Sequence, residues 1–356
     1  MLSTGSDSAP LCKRGLIKGG AFGRNVAICT PTGALAEDYR QLFLYMDRVT
    51  VDTFDGFWAY FGSDESGFCN LLNYNLIIVD EIGYLGRARF EFAMRAWVLA
   101  GRACSLIFAG DFAQQDPPDK SGPAKESPWW QQIVQTTLHK QHRADEDQAA
   151  LCAGLRYHRP TPQVLARLTG NRVFGRSKPL LDDIADFFRR YPSGLVLAGR
   201  RATVARLNQE VFHYLFQRGE RRRLLQRHGE DWESGEVSLA VGARVMLNMN
   251  MNKPRGEVNG AMGSIVRMCR HCILCRLDNG ATTMVSPRRP GENEEEGLPL
   301  ELAYATTVAK IQGRTLEAVA ISPDLGAPAV GYVAVSRVRM LSRLFWLRAP
   351  FTPGKL

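Results

Sequence analysis

Five short apolar runs constrain this chain more than any other feature. Residues 26–29, 76–79, 106–109, 195–197 and 319–321 are apolar and bounded by polar or turn residues, with helical patterns between them. Runs of this kind read as strands buried on both faces, which is how parallel sheets are built. Alternating strands and helices then predict an α/β fold with helices on both sheet faces. In such sheets chemistry collects at the carboxyl ends of the strands. The residues to read first are those that follow the runs: Thr30-Pro31-Thr32-Gly33, Asp80-Glu81 and Gly110-Asp111.

The texture changes twice along the chain. Residues 119–128 are polar and rich in Pro, Gly and Lys, and read as a linker between two halves. Residues 242–287 are strand-like, with Asp278-Asn279-Gly280 as a hairpin-turn signal. They read as a small β module ending in a solvated loop, 288–297, that contains Glu294-Glu295-Glu296. The expected organisation is an N-terminal segment (1–25), a first α/β domain (26–135), and a second in two pieces (136–240 and 298–356) with the β insertion (241–297) between them. A chain of 356 residues, 45 % hydrophobic, is long enough for two ordinary cores. Its net charge of +9 favours a polyanionic partner. The eight cysteines lie mostly among apolar neighbours and read as reduced thiols of an intracellular protein. No apolar run reaches the length of a membrane span, and residues 1–10 lack the apolar core of a secretory signal.

Leu76-Ile77-Ile78-Val79-Asp80-Glu81 is a strand ending in two acids. Such an end can hold one carboxylate rigidly for Mg²⁺ while the other polarises an attacking water. It can equally be a strand that stops in a solvated turn. The next strand, Leu106-Ile107-Phe108-Ala109, runs into Gly110-Asp111-Phe112-Ala113-Gln114 and then prolines. That pattern is similar to motif III of superfamily-1 DNA helicases of the RecD/Pif type. Thr30-Pro31-Thr32-Gly33 and its flanks resemble their motif Ia. Val51-Asp52-Thr53-Phe54-Asp55-Gly56 resembles the following motif, with Asp55 in place of a histidine, and His139-Lys140-Gln141-His142-Arg143 resembles motif IV. Gly242-Ala243-Arg244-Val245 and Val258-Asn259-Gly260-Ala261 resemble the start of the family's SH3-like insertion. Thr307-Val308-Ala309-Lys310-Ile311-Gln312-Gly313-Arg314-Thr315 resembles motif V, with Ala309 and Ile311 replacing polar residues. Tyr332-Val333-Ala334-Val335-Ser336-Arg337 resembles motif VI. The motifs stand in the family's order over nearly the whole chain.

The resemblance implies two RecA-like parallel-sheet domains with a small SH3-like β insertion in the second. It implies the core of an ATP-dependent DNA helicase that moves 5′-to-3′ on single-stranded DNA, with ATP and Mg²⁺ as cofactors. Single-stranded DNA or a forked duplex would be the partner. The protein would be monomeric and intracellular, in the nucleus or mitochondrion of a eukaryote and otherwise in the cytoplasm. By resemblance Asp80 serves Mg²⁺, Glu81 activates water, Gln114 senses the γ-phosphate, and Arg143 and Arg337 meet its charge. Gly110, Asp111, Gln312 and Gly313 lie beside the nucleotide. Thr30, Pro31, Thr32, Gly33, Thr53, Asn259, Thr307 and Lys310 lie along the DNA. The family also needs a Gly-x-x-x-x-Gly-Lys-(Ser/Thr) loop upstream of motif Ia to hold the phosphates. Residues 1–25 contain no Gly-Lys-(Ser/Thr). The expectation is an N-terminally truncated copy with negligible ATP turnover, and the alternative is a non-catalytic pseudo-helicase that binds single-stranded nucleic acid.

Three weaker signals remain. Cys269, Cys272 and Cys275 lie in a strand-like segment whose alternating faces keep the thiols from converging on zinc. Arg218, Arg221, Arg222, Arg223 and Arg227 form a basic cluster on an expected helix, either along a DNA path or on a solvated face. Trp129 and Trp130 read as core, with base stacking as the alternative, and Phe187 and Phe188 read as core.

Overall fold

A computed structural model describes residues 2–4, 24–60, 70–138, 144–170, 172–228, 231–291, 295–326 and 328–348. Residues 139–143, and with them Arg143, lie outside the described residues, as does most of 1–25. The chain divides into two compact units, Met1–His158 and Arg159–Leu356.

The first unit holds strands β1 (Leu2–Thr4), β2 (Val26–Thr30), β3 (Val49–Thr53), β4 (Leu76–Val79), β5 (Ser105–Gly110) and β6 (Thr136–Leu138). They form one sheet in the order β3-β2-β4-β5-β1-β6, parallel at every pairing. Helices α1 (Gly33–Leu42), α2 (Phe54–Trp58), α3 (Arg87–Leu99) and α4 (Glu146–Tyr157) complete it. Side chains alternate along a strand, so a strand with no polar positions must be covered twice. β2 is: Val26 and Ile28 pack with Leu35, Tyr39 and Phe43, while Ala27 and Cys29 pack with Phe54, Trp58 and Phe90. This places α1 on one face of the sheet and α2 and α3 on the other.

Two expectations change here. Residues 119–128 are not a linker. Asp119 pairs with Arg89 at 3.1 Å, the Arg87 amide donates to the Gly122 carbonyl at 2.7 Å, and Ala124 is fully buried. The segment is clamped onto α3, so its polar residues are partners rather than spacer. The division between units also falls after His158 instead of at 135, because β6 pairs with β1 and extends the first sheet.

The second unit contains β7 (Val173–Phe174), β8 (Leu195–Ala198), β9 (Glu220–His228), β10 (Asp231–Leu239), β11 (Arg244–Leu247), β12 (Met262–Met268), β13 (Ile273–Leu277), β14 (Thr282–Val285), β15 (Leu300–Leu302), β16 (Ala305–Thr307), β17 (Val319–Ile321) and β18 (Leu344–Leu347). Its helices are α5 (Pro162–Thr169), α6 (Leu180–Arg190), α7 (Arg201–Leu215) and α8 (Pro328–Val335). One sheet is parallel, in the order β16-β8-β17-β18-β7. A second, antiparallel sheet has the order β14-β13-β12-β11-β15. A single apolar core joins them, from Phe187, Val196 and Phe212 through Leu302 and Tyr304 to Val245, Ile265 and Cys275. Asn208 on α7 fastens the junction. Its buried amide accepts from the backbone of Tyr304 and Ala305 and donates to the Ala305 carbonyl. No described helix is long and apolar enough to cross a membrane.

Arg221, Arg222, Arg223 and Arg227 of the basic cluster lie on a strand, not a helix, and Arg218 precedes it. β9 pairs antiparallel with β10 over its whole length, since consecutive arginines supply no apolar stripe at helical spacing. Arg222 reaches across to donate to the carbonyls of Cys269 and Arg270. Those residues close the β12–β13 hairpin, where the Cys269 amide donates to the Cys272 carbonyl at 2.9 Å. Cys275 is buried in the core, on the opposite strand face by alternation. No group of three or more metal-capable side chains occurs among the described residues.

Tyr304 gives the second unit a measurable alkaline limit. Burial pushes its phenol up to about 12, against the opposing effect of Arg244. An unfolded tyrosine ionises near ~10, so the unfolded chain loses this proton first. Stability from this group is intact below pH ~10 and is expected to fall by up to about 1.4 kcal/mol per pH unit above it. Urea denaturation across that window should show a shallower decline in Tyr304→Phe than in the parent.

Candidate functional site

Because all strands of the first sheet are parallel, β1, β2, β4 and β5 end along one edge, where α/β proteins bind ligands. At the end of β2, Thr30 is fully buried, and its hydroxyl donates to the Thr32 carbonyl at 3.0 Å. Thr30 therefore shapes the turn instead of presenting its side chain. Thr32 caps α1 by accepting from the Leu35 amide. Pro31, Thr32 and Gly33 remain half-buried, leaving this corner partly open to solvent.

At the end of β4, Asp80 is anchored by its amide to the Cys29 carbonyl at 2.8 Å. One carboxylate oxygen accepts from the Tyr39 hydroxyl at 2.6 Å and the other from the Glu81 amide at 2.8 Å. Tyr39 belongs to α1, so the helix that begins at the Thr32 corner also holds Asp80. Glu81 is 6 % exposed and has φ 53° and ψ 45°. A left-handed glutamate costs roughly 1–3 kcal/mol, and such strain gathers at functional positions.

The β5 end meets the β4 end backbone to backbone. A Cβ at Gly110 would lie 2.7 Å from the Ile82 nitrogen, and one at Gly83 would lie 2.5 Å from the Asp111 carbonyl oxygen. Only glycine fits either position. The contact sets Asp80 and Glu81 beside Asp111 and Gln114. The Asp111 side chain is fully buried and pairs with Arg156 of α4 at 2.7 Å. It also accepts from the Ala113 amide at 2.9 Å. Gln114 is 3 % exposed, and both its amide atoms are buried with no hydrogen-bond partner among the described residues. A buried amide left in that condition costs roughly 1–3 kcal/mol per lost bond unless a ligand or water completes it. The edge thus combines two buried carboxylates, a buried ion pair and an unsatisfied amide.

In the second unit the equivalent feature is Gln312, 4 % exposed, with both amide atoms again unsatisfied, as is the buried Thr306 hydroxyl. Gly313 follows at φ 80°, a conformation that favours glycine. Arg337 is 0 % exposed. Its Nε donates to the Val333 carbonyl at 2.8 Å, one Nη to the Arg314 carbonyl at 3.2 Å, and the other to the Ser336 hydroxyl at 2.7 Å. Arg337 therefore ties the motif V segment to α8 from inside this unit. Lys310 is exposed and pairs with Glu301, Thr307 is half-buried, and Asn259 is exposed. Back in the first unit, Thr53 caps α2 by accepting from the Gly56 amide at 3.2 Å. Asp55 is gripped by Arg89 at 2.8 and 3.3 Å, so the acid that stands in place of a histidine is held in a structural ion pair.

The sequence singled out Asp80, Glu81, Gly110, Asp111 and Gln114, and the fold brings them together. It did not single out Tyr39 or Arg156. Neither carries a local signal, because each acts through a partner 41 or 45 residues away.

No protein-family model matches the chain. It is 30 % identical over 309 residues to the ATP-dependent DNA helicase PIF1 of Homo sapiens, covering 77 % of this chain and 46 % of the human protein. It is 37 % identical over 123 residues to the ATP-dependent DNA helicase PIF1 of Danio rerio, covering 30 % of this chain and 19 % of that protein. The chain thus spans about half the length of the human relative. Among solved structures, the Pif1 helicase from Bacteroides in complex with ADP-AlF3 and ssDNA matches with a TM-score of 0.75 at 20 % identity, over 99 % of this chain and 89 % of that one. The Pif1 helicase from Candida albicans matches with a TM-score of 0.68 at 19 % identity, over 99 % and 92 % respectively.

Two substitutions separate geometry from chemistry at this edge. Gly110→Ala is expected to lower stability by about 1–3 kcal/mol, because the facing turn has to move. Glu81→Gly removes the strained left-handed residue and is expected to be at least as stable as the parent, with a gain of up to about 1 kcal/mol. Urea denaturation of both variants checks the contrast.

Proposed function

We propose, for a chain homologous to the Pif1-type DNA helicases of superfamily 1, that it is the core of an ATP-dependent DNA helicase. The observation that carries this reading is the unsatisfied, buried Gln114 amide beside Asp80, Glu81 and Asp111 at the strand ends. A phosphate oxygen accepts from such an amide and a phosphate-bound water donates to it. The fold match to a protein captured with ADP-AlF3 and ssDNA points the same way.

The donor set fits Mg²⁺ held through water. Asp80 presents a buried carboxylate, oriented by the Tyr39 hydroxyl and the Glu81 amide, that could take a water of the metal's shell. The chemistry Mg²⁺ would supply here is positive charge to offset that of the phosphates. The chain's own residues then have separate tasks. Tyr39 and the Glu81 amide orient Asp80. Glu81, rigid in its strained conformation, accepts the proton of the attacking water. Gln114 reads the terminal phosphate, and Arg156 keeps Asp111 from adding an uncompensated charge beside it. The second unit's own candidates for nucleotide contact are Gln312, whose amide is unsatisfied, and Gly313, and Arg337 would contribute only by giving up its internal bonds.

Single-stranded DNA follows the open corners: Pro31, Thr32 and Gly33 with the first amides of α1, Thr53, Asn259, Thr307 and Lys310. Phosphates bind there because backbone amides at a helix start and a basic side chain both favour anions. Movement is 5′-to-3′ on single strands or at a forked duplex, by a monomer.

Fluorescence anisotropy with a labelled single-stranded oligonucleotide tests the reading. Binding is expected to weaken linearly in log–log form with salt, as counterion release requires. Lys310→Ala should reduce affinity by a few-fold and make the salt slope shallower by about 1. Absence of binding at low salt would sink the proposal.

A further inference from the structure

The β12–β13 hairpin carries two cysteines for which neither nucleotide nor DNA provides a use. Its strands pair antiparallel, and Met268 opposite Ile273 is the pair nearest the tip. Cys269 and Cys272 continue that pairing by one step, with the Cys269 amide donating to the Cys272 carbonyl at 2.9 Å. Arg270 and His271 form the exposed tip between them. Facing residues of an antiparallel pair have Cα atoms roughly 4.5–5.5 Å apart and project their side chains from the same face. A disulfide spans Cα atoms roughly 4.4–6.8 Å apart. The hairpin therefore holds these two thiols where a bond between them asks little of the backbone.

Their surroundings separate this pair from the other described cysteines. Cys29, Cys104, Cys152 and Cys275 are free and buried, whereas Cys269 and Cys272 are free and half-buried. A reagent in solution therefore meets the hairpin pair first. Partial burial pushes the Cys272 thiol up, as does its hydrogen bond to the Cys269 thiol, while Arg222 and Arg267 pull it down. That hydrogen bond puts the two sulfurs in contact. Arg222 reaches from β9 to donate to the carbonyls of Cys269 and Arg270, both at 2.8 Å. Its guanidinium thus lies against the turn that joins the cysteines, and a cation so placed favours a thiolate. Among the described residues no third metal-capable side chain joins the pair, so it lacks the ligand set of a structural zinc site.

We propose that Cys269 and Cys272 form a dithiol site for small-molecule disulfides of the glutathione class, and that reaction there closes a reversible disulfide across the hairpin tip. A thiolate at one cysteine attacks a sulfur of the external disulfide, and one small thiolate leaves. The other cysteine loses its proton and attacks the protein-bound sulfur of the mixed disulfide, expelling the second small thiolate. The protein gives up two protons and two electrons, and the external disulfide becomes two thiols. Excess reduced thiol drives both steps backwards. A disulfide open to solvent at a hairpin tip belongs to the labile class, not to the structural class that resists reduction.

Peptide mapping of the full chain tests the inference. The reduced protein is incubated without oxygen near pH ~8 with oxidised glutathione, remaining thiols are alkylated, and the tryptic digest is read by mass spectrometry. Trypsin cuts after Arg270, so the bond joins two peptides, and fragmentation places it at Cys272 rather than Cys275. The expected product is about 2 Da lighter than the two reduced peptides together, with both reactive thiols lost at once and restored by dithiothreitol. Cys29, Cys104, Cys152 and Cys275 are expected to stay reduced. In Cys272→Ser the reaction is expected to stop after its first step, with glutathione held on Cys269. The rate in the parent should rise from pH ~7 to pH ~9, because the thiolate is the attacking form. Glutathione adducts on both cysteines of the parent, with no bond between them, overturn the inference. So does a folded parent in which both thiols stay reduced, or a bond from either one to a different cysteine.

Discussion

Close contact between two backbone turns organises the first unit. Gly83 and Gly110 have no side chain to hold the β4 and β5 ends apart, so the Glu81-Ile82 backbone lies against Gly110 and Asp111. Everything chemical at the sheet edge follows from that contact. It places two carboxylate-bearing strand ends side by side. It also requires that each carboxylate be answered locally: Asp80 by Tyr39 and the Glu81 amide, Asp111 by Arg156 and the Ala113 amide. Buried charges without such partners would lose their ionisation or unfold the site.

The same logic separates what the sequence made legible from what it did not. Buried parallel strands are visible because their apolar runs are local and unbroken, and the residue after each run is then fixed at the ligand edge. Asp80, Glu81, Asp111 and Gln114 were readable for that reason. Tyr39 was not, because its contact with Asp80 depends on how α1 lies across the sheet. The Asp119 carboxylate was misread as part of a linker, because composition does not reveal that Arg89 sits opposite it. The arginines of β9 suggested a helix only because like charges in a row carry no period of their own. Arg337 was expected by resemblance to meet the γ-phosphate charge, and its complete burial among carbonyls and a hydroxyl carries no local signal in the sequence.

That burial bears on how such a core works. In the second unit the guanidinium of Arg337 is satisfied by Val333, Arg314 and Ser336, while the Gln312 amide is not satisfied at all. One group must exchange internal bonds for ligand bonds; the other has none to give up. Asp55 is held by Arg89, and Ala309 and Ile311 carry no polar side-chain group.

On the proposed function, single-stranded DNA crosses the strand ends of the parallel sheets. Hydrogen–deuterium exchange of the full chain, with and without a saturating single-stranded oligonucleotide at low salt, tests it most directly. Slower exchange is predicted at the start of α1 after Thr32, around Thr53 to Gly56, and from Thr307 to Gly313. Unchanged exchange in those three segments, with protection confined to the β9–β10 ribbon, would contradict the account.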